Sequence, residues 1–348
     1  MVSAYFPISG RPDDADVAVR WRAVLRELAG LGVGARVRES LTRRVLGMPP
    51  GPAVLAAFIV DGEDEPTVFQ MPGACRTEMV VRAALPRILP VLAWLQHQPP
   101  YVLAVVGRDG ADIEIHPGGT APMVVRTVTA PVGDGATRTR DRRGRHRHPG
   151  QDGWERTGSC VADVLKDQLV GGRTRLLLLA GDPRALHAVD QGLPGSMRHQ
   201  VSVRYVPGGR GQDGTWHRGG LNVQQQLRAW VDEQNRRVLR RIGEGRDANG
   251  WVAEGASATL EALAHGRVRV LVVVNDAEDR RTAWFVPGGA EASMTLPATG
   301  SAGLHRRAAL ADVAVRAAIL TGAEIRIVEP DTVDAPAEGI GALCRFGG

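Results

Sequence analysis

Apolar residues recur every three to four positions in two segments near the N-terminus, which predicts two helices. The first is marked by Val17, Trp21, Val24 and Leu28, and the second covers residues 35–46. Short apolar stretches predict strands at 4–8, 54–60 and 67–71. These elements together predict a small α/β domain over residues 1–98.

Three successive extended stretches in the next segment predict antiparallel strands. These stretches are 101–107, 111–116 and 123–129. Periodicity then disappears over residues 130–158, a length that compact domains rarely leave without structure. A helix at 159–170 and a continuously apolar strand at 175–180 follow. We interpret residues 99–206 as one mixed-sheet α/β domain with a long loop at 130–158.

The last third alternates helical and extended patterns after a glycine-rich connection at 207–220. Helices are predicted at 221–242, 254–264 and 304–320, and strands at 268–274, 282–286, 325–328 and 340–345. Alternation of this kind favours an α-β-α sandwich over residues 221–348. The predicted fold class is therefore α/β, with three consecutive α/β domains and a linker at 207–220.

Composition narrows the class of protein. Of the 348 residues, 43% are hydrophobic and 23% are charged, which is typical of a globular chain. The three cysteines, Cys75, Cys160 and Cys344, lie far apart, which argues against a disulfide framework and fits a reducing compartment. No apolar run reaches the roughly 18 residues of a membrane span, and the N-terminus lacks the pattern of a signal peptide. We expect a cytoplasmic protein that does not enter a membrane.

Positive charge is concentrated in one segment. Residues 138–148 (RTRDRRGRHRH) hold six arginines and one aspartate, a net charge of +5, which equals the net charge of the whole chain. Guanidinium groups match the geometry of phosphate oxygens, so this segment indicates contact with an RNA backbone more than with bases. A solvated arginine loop without a fixed partner is the alternative interpretation of the charge pattern alone.

The sequence lacks convincing motifs for nucleotide, dinucleotide or metal binding. A P-loop requires Gly-Lys-Ser/Thr, and the single lysine, Lys166, is in another context. Residues 209–214 match G-x-G-x-x-G, but six further loop residues separate them from the next helix, so a linker is the better interpretation. His146 and His148 could bind a metal, but the flanking arginines repel a cation. We predict no cofactor and no metal.

Three stretches resemble the family of archaeal and eukaryotic class-one release factors and Pelota. They are Pro100–Val106 with Gly110–Ile113, Trp251–Val273, and Gly339–Phe346. Their order and spacing carry the resemblance, which points to the divergent bacterial branch that includes the ribosome hibernation factor Balon and its actinobacterial relatives. The resemblance implies a middle domain similar to RNase H and a last domain similar to a ribosomal RNA-binding protein.

The resemblance also implies what the basic loop does. Release factors carry Gly-Gly-Gln in the corresponding loop, whereas this chain has Pro149-Gly150-Gln151. Pro149 fixes φ and removes an amide donor, and the helix expected after the glutamine is predicted to be interrupted by Asp152-Gly153. Because Pelota and Balon lack the motif, the resemblance favours occupation of the peptidyl-transferase centre over hydrolysis.

The leading hypothesis is therefore a ribosome hibernation factor without catalytic residues, which occupies the A site and blocks translation under stress. Its predicted contacts with ribosomal RNA are Arg138, Arg140, Arg142, Arg143, Arg145, His146, Arg147, His148, Gly150 and Gln151. The alternative is an enzyme, a peptidyl-tRNA hydrolase or codon-independent rescue factor that uses Gln151. Binding of structured RNA away from the ribosome is a third option. The resemblance further implies a translational GTPase as a partner.

Overall fold

The computed structural model describes residues 1–74, 78–107, 110–119, 123–129, 149–170, 174–207, 221–245, 251–296 and 305–346. For residues 149–154, Val170 and Arg198 it describes the backbone alone. The chain divides into two compact units. Met1–Gln96 and Glu233–Gly348 form one, called the terminal unit below, and His97–Asp232 form the other, called the middle unit. The boundaries of the three predicted domains stay a prediction.

The strands are β1 (Val2–Ile8), β2 (Ala53–Ile59), β3 (Thr67–Pro72), β4 (Met79–Arg82), β5 (Tyr101–Val106), β6 (Gly110–His116), β7 (Val124–Thr129), β8 (Leu176–Gly181), β9 (Ser202–Tyr205), β10 (Val252–Glu254), β11 (Val268–Val274), β12 (Thr282–Phe285), β13 (Ala292–Ser293), β14 (Arg306–Ala309), β15 (Glu324–Val328) and β16 (Ile340–Cys344). The helices are α1 (Ala15–Gly30), α2 (Ala35–Leu46), α3 (Leu89–Gln96), α4 (Pro149–Val170), α5 (Pro183–Gly192), α6 (Gly195–Gln200), α7 (Val223–Glu244), α8 (Ala256–Ala264) and α9 (Leu310–Leu320). Strands and helices alternate along the chain, so the α/β class is confirmed.

The N-terminal part of the terminal unit is an antiparallel sheet in the order β3-β2-β1-β4. Successive side chains of a strand point to opposite faces, so β1 buries residues on both sides. Val2, Ala4, Phe6 and Ile8 pack against the apolar faces of α1 and α2. Tyr5 lies in the core on the opposite face, where α3 contributes its own apolar residues. This arrangement leaves the outer face of α1 and α2 open to solvent.

The C-terminal part of the terminal unit has a four-stranded sheet in the order β10-β16-β11-β15, and a smaller sheet in the order β13-β12-β14. Helices α8 and α9 pack on one face of the larger sheet. Leu239 and Ile242 of α7 pack on its other face against Val270 and Val272. The predicted α-β-α layering is therefore present in this sheet.

The middle unit has a mixed sheet in the order β7-β6-β5-β8-β9. Strands β5, β6 and β7 pair antiparallel, whereas β5, β8 and β9 pair parallel. Helices α4 and α5 cover one face, and the first half of α7 covers the other with Val223 and Leu227. Residues 176–180 of β8 have no exposed surface, as their continuous apolar character predicts.

Two sequence predictions are wrong. The helix predicted at 304–320 begins at Leu310, because residues 306–309 form β14 and pair with β12. The loop predicted at 130–158 ends earlier, since α4 begins at Pro149 and continues through Asp152 and Gly153 without the predicted interruption. Proline is well tolerated in the first turn of a helix, where its missing N–H has no intrahelical partner. The linker predicted at 207–220 lies, apart from its first residue, outside the described residues.

None of the helices in the described part of the chain is both long and apolar enough to cross a lipid bilayer.

Candidate nucleic-acid interface

The first turn of α4 carries the Pro149-Gly150-Gln151 sequence. The rest of the helix is held firmly against the middle sheet, because Val161, Leu165 and Leu169 lie in the apolar core. The backbone of Gln151 therefore belongs to a long, well-anchored helix instead of the long loop that the sequence predicted.

Close packing of α4 on α5 fixes the direction of this helix. A Cβ atom at Gly158 would lie 2.4 Å from the Cβ of Ala188, and one at Gly192 would lie 2.7 Å from the Cβ of Ala162. Distances below 3.0 Å cannot be accommodated without movement, so both glycines are required for the approach of the two helices. These close contacts between small residues therefore fix the position of α4, and with it the position of its first turn.

Of the ten residues predicted to contact ribosomal RNA, Gly150 and Gln151 lie in this first turn. The other eight lie outside the described residues, and they are Arg138, Arg140, Arg142, Arg143, Arg145, His146, Arg147 and His148. They immediately precede α4 in the chain, so the six arginines are tethered to the start of the helix. Their contacts with RNA stay a prediction.

The sequence of α4 has four acids and two bases, a net charge of −2. Glu155 and Arg156 are both exposed, and Lys166 donates to Asp163 at 2.7 Å. The helix therefore adds no positive charge to the arginine-rich segment that precedes it in the sequence.

A polar cluster in the middle sheet escaped the sequence analysis. His116 Nε2 lies 3.0 Å from Glu114 Oε2, and the ring of Tyr101 stacks on the imidazole with 4.1 Å between the ring centroids. Glu114 and His116 share one face of β6 because they are two positions apart, and Tyr101 is the register partner of His116. The two-residue spacing of Glu114 and His116 within a predicted strand is the feature of the sequence that could have revealed this cluster. Among the described residues, no three potential metal ligands come together.

The most strongly perturbed acid is in the terminal unit. Asp312 is 4% exposed, and its Oδ2 lies 3.5 Å from Nη1 of Arg87. Burial raises the pKa of Asp312 to about 7, an effect that Arg87 and the backbone amide of Ile88 oppose. Protonated and ionised forms of Asp312 therefore coexist near pH 7, and its burial keeps it from direct contact with a partner.

Comparison with known proteins shows a similarity that covers part of the chain. Residues 100–248 match the model of bacterial archaeo-eukaryotic release factor family 2. An uncharacterized protein of Mycobacterium tuberculosis, Rv2629, is 24% identical over 335 residues, which cover 94% of this chain and 87% of the relative. The matched family segment includes both the arginine-rich residues and α4.

Three solved structures are also similar. Archaeal Pelota, in a model of ribosome-bound Pelota and ABCE1, is 11% identical with a TM-score of 0.44, covering 99% of this chain and 90% of that one. Saccharomyces cerevisiae Dom34, a translation termination-like factor that interacts with Hbs1, is 7% identical with a TM-score of 0.41, covering 85% and 81%. The archaeal termination factor aRF1 is 16% identical with a TM-score of 0.24, covering 99% and 92%. The family match carries the comparison: residues 100–248 of this chain are similar to a bacterial family of release-factor-like proteins.

Proposed function

We propose that this protein binds the ribosome in the cytoplasm, occupies the A site and blocks translation under stress. In this proposal, the arginine-rich segment and the first turn of α4 contact ribosomal RNA at or near the peptidyl-transferase centre. The observation that carries the proposal is that the release-factor match at 100–248 contains the segment with the chain's entire net charge of +5. A translational GTPase is the second partner that we propose.

Electrostatics gives the proposal a measurable consequence. Each arginine that neutralises a phosphate releases bound counterions, so the logarithm of the affinity falls linearly with the logarithm of the salt concentration. Six phosphate contacts give a slope of about −4 to −5. Backbone contacts of this kind favour polyanionic RNA without sequence preference.

Co-sedimentation with purified 70S ribosomes tests the proposal. Replacing Arg142, Arg143, Arg145 and Arg147 by alanine is expected to weaken binding at least a hundredfold and to make the salt slope shallower by about 3. The matched control replaces four exposed arginines elsewhere by alanine, Arg236, Arg240, Arg269 and Arg306, and is expected to bind within a few-fold of the unmodified protein.

Two results would contradict the proposal. If the unmodified protein does not sediment with ribosomes at low salt, the ribosome is not its target. If the loop variant binds as well as the control variant, the arginine-rich segment is not the contact. Inhibition of translation by added protein, measured in a cell-free system, distinguishes A-site blocking from binding elsewhere on the ribosome.

Peptidyl-tRNA hydrolysis is the second candidate. The position of Gln151 in the first turn of an anchored helix favours it, because a side chain that orients water must be held from a rigid element. The candidate predicts peptide release from stalled ribosome–nascent-chain complexes, and the Gln151→Ala variant should abolish the release. Absence of release at saturating protein would exclude this activity.

A further inference from the structure

Helix α3 and the residues just before it contact both parts of the terminal unit. We call residues 83–96 the bridging segment. Val91 lies in the core that α3 shares with the N-terminal sheet, whereas Leu89 lies in the core that α8 and α9 form with the larger C-terminal sheet. Leu92 and Ala93 pack against that second core. The bridging segment therefore joins the N-terminal sheet to the C-terminal part of the unit.

Arg87 is attached to the N-terminal sheet by its main chain and to α9 by its side chain. Its N–H donates to Ser3 Oγ at 3.1 Å, and its carbonyl accepts from the hydroxyl of Tyr5. Its Nη1 lies 3.5 Å from Oδ2 of Asp312, which is in the first turn of α9. Movement of the bridging segment away from α9 would break the contact with Asp312 and leave both main-chain contacts intact.

Two groups of the bridging segment stabilise the ionised form of Asp312. They are the guanidinium group of Arg87 and the N–H of Ile88. The distance of 3.5 Å between Arg87 and Asp312 exceeds the roughly 2.7–2.9 Å of a strong charge-assisted hydrogen bond, so the pair is loose. The Asp312 side chain is also almost fully buried, and burial raises its pKa to about 7 in spite of both groups. The docked arrangement therefore favours the protonated carboxyl group.

Asp279 shows what a close arginine does to an acid in the same part of the unit. Arg281 donates to both of its carboxylate oxygens, at 2.9 and 2.7 Å, and these hydrogen bonds lower the pKa of Asp279. The charge of Arg87 lowers that pKa further. Asp279 is therefore ionised near neutral pH, and Asp312 is the acid beside Arg87 that titrates there.

The other charged residues that the structure describes on the elements packed against α9 are exposed or paired with each other. The exposed ones are Glu261 on α8, Arg269 on β11, and Arg306 and Arg307 on β14, and the pair on β15 is Glu324 with Arg326. On α9 itself, Arg316 donates to the carbonyl of Gly289 at 2.6 Å. Arg87 is therefore the charged partner whose interaction with α9 changes when Asp312 gains or loses a proton.

We propose that Asp312 and Arg87 form a proton-controlled latch between the two parts of the terminal unit. When Asp312 is protonated, the bridging segment stays docked on α9, because no carboxylate charge is buried there. When Asp312 is ionised, its buried charge favours release of the segment, which lets water reach the carboxylate. Release parts the N-terminal sheet from the C-terminal part. The latch goes beyond the proposed function and does not depend on it.

Proton binding sets the direction of the effect. Docking raises the pKa of Asp312 to about 7, and release returns it towards the ordinary value of 3.8. Between these values the docked form holds a proton that the released form has lost, so docking weakens as pH rises to about 7 and is constant above it. From pH 5 to pH 8 the equilibrium constant for docking falls by up to about a hundredfold, since each pH unit below 7 contributes a factor of about ten.

Hydrogen exchange of the full chain, corrected for the intrinsic exchange rate at each pH, measures docking. From pH 5 to pH 8, protection of α3 in the unmodified protein should fall at least tenfold, whereas β1, β11 and β8 keep their protection. The Asp312→Asn variant cannot ionise at this position and should keep the same protection of α3 at both pH values. Thermal unfolding at pH 5 establishes that each variant is folded.

The Arg87→Gln variant tests the partner of Asp312. It removes the positive charge that favours ionisation, so the loss of α3 protection should move to higher pH. The main-chain contacts of Arg87 with Ser3 and Tyr5 do not require its side chain. Arg236→Gln, at an exposed position on α7, is the matched control and should lose α3 protection at the same pH as the unmodified protein.

Three results would overturn the latch. The first is α3 protection that does not change with pH in the unmodified protein, or that changes equally in the Asp312→Asn variant. The second is a simultaneous loss of protection in β1 and β11, because the whole unit then unfolds instead of releasing one segment. The third is an unchanged transition pH in the Arg87→Gln variant. The experiment contains no ribosomes, so each of these results leaves the proposed function to its own test.

Discussion

The side-chain amide of Gln96 forms two hydrogen bonds with the main chain of Ile327, 231 positions further along the sequence. Its Nε2 donates to the Ile327 carbonyl at 2.8 Å, and its Oε1 accepts from the Ile327 N–H at 2.9 Å. Strand β15 is at the edge of its sheet, and Asn235 Nδ2 donates to the same carbonyl at 3.2 Å. Side chains from α3 and α7 therefore satisfy main-chain groups that a neighbouring strand would otherwise pair.

Replacing Gln96 by alanine should lower the free energy of unfolding by about 1–3 kcal/mol, because the Ile327 N–H loses its acceptor in a partly buried site. Urea denaturation measures the change. Gln224→Ala is the matched control, since Gln224 is exposed on α7, and it should change stability by less than about 0.5 kcal/mol. Equal effects of the two substitutions would show that the Gln96 contact contributes nothing to stability.

Asp312 should make the stability of the terminal unit depend on pH. Its pKa is about 7 in the folded protein and close to 3.8 when unfolded, so the folded chain holds a proton that the unfolded chain has lost between these values. The free energy of unfolding therefore falls as pH rises from about 4 to about 7, by up to about 4 kcal/mol, and this contribution is constant above pH 7.

The Asp312→Asn variant removes the ionisation and should flatten this pH dependence. Denaturant unfolding at pH 5 and pH 8 measures it, and the variant should gain stability relative to the unmodified protein as pH rises. Asp331→Asn, at an exposed position, is the control and should leave the dependence unchanged. Parallel pH profiles for all three proteins would mean that Asp312 is ionised in the folded state over the whole range.

Gly158→Ala should destabilise the middle unit by about 1–3 kcal/mol, because the added Cβ would lie 2.4 Å from the Cβ of Ala188 and push α4 from α5. Gly243→Ala makes the same change in α7, where no heavy atom lies within 4 Å of the added Cβ. This substitution should raise the free energy of unfolding by about 0.5–1 kcal/mol. Thermal unfolding gives both values. Stabilisation by both substitutions would show that α4 and α5 can separate without cost.

Local patterns predicted most elements of the fold. The helical spacing of Val17, Trp21, Val24 and Leu28 identified α1, and the continuous apolar run at 175–180 identified β8. Strand β14 was predicted as helix because Arg306–Ala309 continues into the helical pattern of α9 without a break in sequence. Pairing with β12 decides its conformation, and such pairing depends on residues distant in the chain.

The candidate site was less predictable. Proline and glycine at 149–153 favour a turn locally, but packing of Val161 and Leu165 makes α4 long enough to include them.

Both ends of the chain contribute to the terminal unit, and this has a consequence for biosynthesis. Residues 1–96 leave the ribosomal exit tunnel first, yet the strand that Gln96 contacts belongs to the last residues translated. The nascent protein must therefore hold its opening sheet, with α3 packed on one face and Gln96 still without its partner strand, while the middle unit is already able to fold. Slow elongation would lengthen the interval in which the apolar side of α3 is exposed to chaperones and to aggregation.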